Sequence, residues 1–146
     1  MRIGIPVALA AFAASAAAAQ LPQKPNVHVD TGRLQGLADR EVLGFKGIPY
    51  AAPPTGERRW RAPQQAKSWQ GTRDASRFGA ACPQPDDHHE AWAQVGSTSE
   101  DCLFLNVWRP ARRGKYPVMV FLHGGGFTYG AAGIPLDDGD NLSRHG

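Results

Sequence analysis

Apolar and polar residues alternate in short runs over the first ordered-looking part of the chain. Val27 and Val29 flank His28 and stop at Asp30-Thr31-Gly32, Leu34 to Leu37 resumes before Ala38-Asp39-Arg40, and Val42 to Tyr50 continues extended through Gly44 and Gly47. A period of two broken by Asp and Gly turns predicts short antiparallel strands. Pro49 and Pro53-Pro54-Thr55-Gly56 end that pattern, because proline lacks an amide donor and fixes φ, so a rigid non-helical connector follows. From Gln64 to Gln94 neither period is sustained. Pro83, Pro85 and Asp86-Asp87-His88-His89-Glu90 there predict a long irregular loop. Order resumes at Leu103 to Trp108, a strand-like stretch, followed by a basic turn at Ala111 to Lys115. Val118-Met119-Val120-Phe121-Leu122, bounded by Pro117 and glycines, then predicts a strand buried on both faces in the middle of an α/β sheet. Leu142 to His145 predicts the start of a helix.

A strand buried on both faces needs covering layers and neighbours along its edges. Few helix-like stretches exist here, and none carries a convincing apolar stripe. The pattern therefore predicts a truncated α/β unit, with short antiparallel strands leading into a central mixed sheet, over residues 20–146. Residues 1–19 are different in kind. Met1-Arg2 precedes an uncharged apolar run from Ile3 to Ala18, and Ala17, Ala18 and Ala19 satisfy a small-residue cleavage preference, which predicts a signal peptide cut near Ala19/Gln20 and a secreted or periplasmic protein. A retained anchor fits less well, since the run is short, Ala-rich and followed by Pro22 and Pro25. No second apolar run is long enough to hold the mature chain in a membrane.

The formal charge of +3 becomes +2 when Arg2 is removed with the leader. The basic residues are scattered apart from Arg58-Arg59-Trp60-Arg61 and Arg112-Arg113, which argues against a nucleic-acid partner. Export gives the two cysteines meaning, because an oxidising compartment allows Cys82 and Cys102 to pair; two free or buried thiols are the other reading.

The chemistry is concentrated in His123-Gly124-Gly125-Gly126-Phe127, directly after the apolar run. Glycines there let backbone N–H groups approach one oxygen closely, and ester hydrolysis develops negative charge on the former carbonyl oxygen. Gly125 and Gly126 are the candidate donors, with Gly124 shaping the turn and His123 orienting the loop. A glycine turn without function is the competing reading. The preceding strand, the histidine and the following aromatic residue instead match the HGGG-type loop of lipases and esterases.

Three segments in order extend that match. Gly47-Ile48-Pro49-Tyr50-Ala51-Ala52-Pro53-Pro54-Thr55-Gly56 with Arg59-Trp60-Arg61, then Ser99-Glu100-Asp101-Cys102-Leu103-Phe104-Leu105-Asn106-Val107-Trp108, then Pro117 to Gly130 together resemble the amino-terminal portion of the type B carboxylesterase and cholinesterase family, an α/β-hydrolase fold. The resemblance implies a Cys82–Cys102 disulfide, an Arg59–Glu100 salt bridge, oxyanion donors at Gly125 and Gly126, and a small-molecule carboxylic ester as substrate. It also implies that Trp92, inside the disulfide loop, and Phe127 contact substrate, Trp92 by stacking on a cationic group. A packing anchor is the alternative for Trp92. The hormone-sensitive-lipase-like group shares an HGGG loop but not the Glu100 to Trp108 segment.

No member of a hydrolase triad is recognisable in this sequence. Ser68, Ser76, Ser97, Ser99 and Ser143 lack GxSxG surroundings, and His28, His88, His89 and His145 fit no triad order. The expectation is a serine ester hydrolase whose nucleophile lies outside this chain, so that the chain alone is inactive. A non-catalytic cholinesterase-like adhesion module is the alternative, and the intact glycine loop argues against it. No cofactor is implied. Asp86 to Glu90 lacks metal-ligand spacing, and Asp137-Asp138-Gly139-Asp140-Asn141 departs from the EF-hand pattern and is better read as a turn and helix cap. The sequence leaves the oligomeric state open.

Overall fold

A computed structural model describes residues 24–39, 41–85 and 94–145. The predicted leader and the Asp86 to Glu90 run lie outside the described residues. Among the described residues, six strands form two small sheets: β1 (Asn26–Val29), β2 (Gly32–Gln35), β3 (Leu37–Asp39), β4 (Val42–Pro49), β5 (Thr72–Asp74) and β6 (Phe104–Pro110). The first sheet has the order β1-β2-β5, with β1 antiparallel and β5 parallel to β2. The second has the order β3-β4-β6 and is antiparallel throughout. One six-residue helix, α1 (Asp140–His145), follows a 3₁₀ turn at Pro135–Asp137.

The run from Leu34 to Leu37, expected as one strand, is two. The chain leaves β2 at Gly36, whose amide donates to the Pro25 carbonyl at 2.9 Å, and enters the other sheet at Leu37. The break puts Leu34 fully inside, packed with Phe45 and Ala75, while Val29, Leu43, Ile48 and Trp69 close around them. This is the small core that both sheets share. Trp69 also donates from Nε1 to the Arg33 carbonyl at 2.8 Å, satisfying its polar edge while its ring covers the core.

The stretch expected to be irregular from Gln64 to Gln94 contains β5 and an isolated bridge between Ala81 and Thr98. Three residues are too few for a visible period, and β5 exists because Arg33, Leu34 and Gln35 already offer it a ladder. At its end the Ser76 side chain and amide donate to Asp74, the amide at 2.9 Å to Oδ1, and these bonds hold the Asp74 carboxyl below its ordinary value of 3.8. A carboxyl depressed on folding stabilises the fold above its unfolded pKa, and that contribution is lost as the pH falls through the lower folded value. Asp74→Asn is therefore expected to lower stability slightly near neutral pH and to converge on wild type below about pH 4, flattening the acid limb, as read by tryptophan fluorescence across pH.

The predicted buried strand at Val118 to Leu122 is corrected by the structure. These residues form no strand and are exposed, from 62% at Phe121 to 88% at Val118. A strand is made by its neighbours, since the ladder satisfies its amides and flanking layers cover its faces. Among the described residues β6 pairs only with β4, and no strand pairs with residues 118–122. The short helix is where the sequence placed it. Asp138 Oδ1 accepts from the Asp140 amide at 2.9 Å, so the acidic run is a turn leading into α1, and Arg144 bridges Asp140 at 2.7 Å and Asp39 at 3.1 Å, tying α1 to β3.

Candidate oxyanion loop

Between Leu122 and Gly130 the chain folds back on itself. The Gly125 carbonyl accepts from the amides of Thr128 at 3.0 Å and Tyr129 at 3.2 Å and from the Thr128 hydroxyl at 3.1 Å. One peptide earlier, His123 Nδ1 lies 2.8 Å from the Gly124 carbonyl. A carbonyl only accepts, so Nδ1 carries the proton and donates. Two consecutive carbonyls are thus tied down. All peptides here are trans, and in a trans peptide the C=O and the following N–H point in opposite directions. The N–H groups of Gly125 and Gly126 therefore point away from these two anchors, and neither donates to another described residue.

The conformation needs glycine. Gly125 has φ +123°, and a Cβ there would overlap the Tyr129 carbonyl. Gly126 follows at φ +60° and Phe127 at +64°. A left-handed aromatic residue is strained, a cost typical of functional loops. The Phe127 ring is fully exposed. Gly124 has no atom within 4 Å of its missing Cβ, so its role is in the backbone path and not in a close approach.

A cavity of about 130 Å³ lies against the loop, walled by Gly124, Gly125 and Tyr129 on one side and by Ile134, Leu136 and Asp137 on the other. Asp137 Oδ2 is buried there without a hydrogen-bond partner among the described residues. The Ile134 to Asp140 wall is held to the second sheet by Lys46. Its ammonium sits 3.4 Å from Asp138 Oδ2, 4.1 Å over the Phe78 ring and 5.7 Å over Trp108. Lys46 is itself mostly buried, so removing the cation leaves Asp138 and two ring faces without it. Lys46→Met is expected to cost about 1–2 kcal/mol, seen as a lower urea midpoint whose deficit shrinks in high salt.

The cysteines are paired. Cys82 and Cys102 form a disulfide with Cα atoms 5.0 Å apart. Arg59 Nε lies 3.1 Å from Glu100 Oε1, two residues before Cys102, with both side chains about half exposed. A pair so hydrated contributes at most about 1 kcal/mol. Trp92 lies outside the described residues. Among those described, no group of three or more metal-ligating side chains gathers, and no helix is long and apolar enough to cross a membrane.

Three contributors were not singled out from the sequence. Asn106 Oδ1 accepts from the Gly47 amide at the β4 bulge while Nδ2 donates to the Ala132 carbonyl, both at 2.9 Å, joining the sheet to the segment after the loop. Lys46 secures the cavity wall, and Gln84 reaches the end of the loop at Gly130. Only Asn106 falls within a segment that carries the resemblance, Ser99 to Trp108; nothing local marks Lys46 or Gln84.

Two small sheets leading to a glycine loop with freed amides define part of an α/β-hydrolase fold. Comparison with solved structures agrees: a PNB esterase superposes with a TM-score of 0.79 at 38% identity, over 84% of this chain and 26% of that one. The model of the Carboxylesterase family matches residues 23–146, and this chain belongs to that family. It is 42% identical over 121 residues to fumonisin B1 esterase of Sphingopyxis macrogoltabida, covering 82% of this chain and 22% of that protein. It is likewise 42% identical over 117 residues to para-nitrobenzyl esterase of Bacillus subtilis, covering 79% and 24%. The chain spans about a quarter of the length of these relatives.

Proposed function

We propose that residues 20–146 are the oxyanion-loop segment of an exported serine carboxylic ester hydrolase, whose nucleophilic serine lies outside this chain. The observation that carries this reading is the pair of anchored carbonyls at Gly124 and Gly125, which frees the Gly125 and Gly126 amides together. When a serine oxygen attacks an ester, the carbonyl π electrons move to its oxygen. The two amides hold that charge, the alcohol departs with a proton, and water later releases the acid. His123 acts on the loop and not as the base, because its Nδ1 proton is committed to Gly124. Phe127, whose ring is exposed next to Gly126, and Trp92 are proposed to contact the substrate. Small-molecule esters are the substrates, and the segment needs no cofactor for this chemistry.

The test compares p-nitrophenyl acetate hydrolysis by the 146-residue chain with that by the protein extended to include a GxSxG serine. Turnover sensitive to an organophosphate is expected only in the extended protein. The same turnover from the 146-residue chain, or none from the extended one, overturns the reading.

A further inference from the structure

The oxyanion loop is closed by its last residue. Gly130 has φ +109°, and a Cβ there would fall 2.6 Å from the Gly124 carbonyl oxygen and 2.7 Å from His123 Nδ1, so the end of the loop lies directly against the hydrogen bond that orients its start. What holds Gly130 in place is a side chain from a distant part of the sequence. Gln84 Oε1 accepts from the Gly130 amide at 2.7 Å, and Gln84 Nε2 donates to the Gly130 carbonyl at 3.0 Å. The amide side chain thus imitates one rung of an antiparallel ladder, engaging both backbone groups of a single residue. Its second N–H donates to the Cys82 carbonyl at 3.0 Å, which fixes the side chain to the neck of the disulfide loop. Both donors of the carboxamide and one acceptor position are then used, and no shorter or ionised side chain offers the same set.

We propose that Gln84 is a positioning residue for ester hydrolysis, transmitting the fixed backbone at Cys82 through Gly130 to the His123–Gly124 contact and so to the direction of the Gly125 and Gly126 amides. Gln84 touches no reacting atom. This rests on the proposed oxyanion role of the loop. Its effect belongs to the transition state, because a misdirected amide weakens binding of the developing oxyanion more than binding of the neutral ester.

The experiment uses Gln84→Ala and Gln84→Glu in the full-length protein. Gln84→Ala is expected to lower kcat about tenfold, the scale of two net hydrogen bonds, with KM within about twofold. The inhibition constant of a trifluoromethyl ketone, which forms an oxyanion adduct, should weaken by the same factor while that of the unreactive amide analogue stays put. Deuterium uptake at residues 123–130 should quicken. Gln84→Glu keeps the acceptor but faces the Cys82 and Gly130 carbonyls with a carboxylate oxygen in place of the two donors, so it should lose at least as much kcat as alanine, and it supplies the same readings where the alanine variant does not fold. An unchanged kcat overturns the proposal, as does a rise in KM and in the amide constant that matches the loss of kcat. A wild-type protein without esterase activity refutes the ester-hydrolase reading separately; deuterium uptake then decides, and uptake at 123–130 unaltered by either variant overturns the role of Gln84.

Discussion

Gly125→Ala in the full-length protein is expected, on the proposed oxyanion role of the loop, to lower kcat for ester hydrolysis by about 10²–10³-fold, the loss seen when a preorganised oxyanion donor is removed. The substitution deletes no hydrogen-bonding atom, so the loss comes from geometry. A Cβ at this position meets the Tyr129 carbonyl, which is backbone and has no rotamer to yield. The φ of +123° is also one that an alanine adopts only at a cost. Relief requires the turn to open, and opening it breaks the bonds from the Thr128 and Tyr129 amides to the Gly125 carbonyl. Once that carbonyl swings, the Gly126 N–H swings with it, because both belong to one rigid peptide. Gly124→Ala is the matched comparison: its Cβ points into open space among the described residues, so kcat should stay within a few-fold of wild type. A Gly125→Ala protein of native stability and near-native kcat would show that this loop is not an oxyanion hole.

The glycine-dependent shape of this loop was legible in the sequence, and the reason is local. Glycine is the residue for which a single position reports a backbone requirement, and three in a row after an apolar run report a loop whose backbone takes a path closed to other residues. The place of His123 beside the glycines points to loop orientation, and its Nδ1 contact with the Gly124 carbonyl agrees with that reading. The alternating residues of β1, β2 and β4 were legible because each strand has one face toward Leu34, Phe45 and Ala75. What was not legible depends on contacts distant in sequence. Gln84 and Gly130 are 46 positions apart, and Lys46 and Asp138 are 92 apart. No period or motif in one segment announces such a partner. Val118 to Leu122 failed in the opposite direction. Its composition is that of an interior strand, but composition expresses only a demand for neighbours, and here the described residues do not supply them.

Replacing both cysteines, as Cys82→Ala with Cys102→Ala, is expected to cost about 3 kcal/mol of stability in the full-length protein, since a crosslink closing a loop of this length removes that much chain entropy from the unfolded state. The bridge spans a sequence separation of 20. Little else holds the neck of that loop. Ala81 donates to the Ser97 carbonyl and accepts from the Ser99 amide, both at 2.9 Å, and the half-exposed Arg59–Glu100 pair lies just outside. Two neutral hydrogen bonds and one hydrated ion pair contribute about as much together as the crosslink does alone, so the neck should loosen without unfolding the sheets. Two measurements separate these effects. The urea midpoint of the double variant should fall, and reducing agent should lower the wild-type midpoint to the same value while leaving the variant unaffected. Because Gln84 takes its bearing from the Cys82 carbonyl, kcat should fall in both reduced wild type and double variant, and by at least as much as in Gln84→Ala. Single variants are the poorer test, for each leaves a thiol free to pair elsewhere. A midpoint indifferent to reduction would mean that the Ala81 bridge and its neighbours define the neck unaided, and the loop would then owe its order to hydrogen bonds and not to the crosslink.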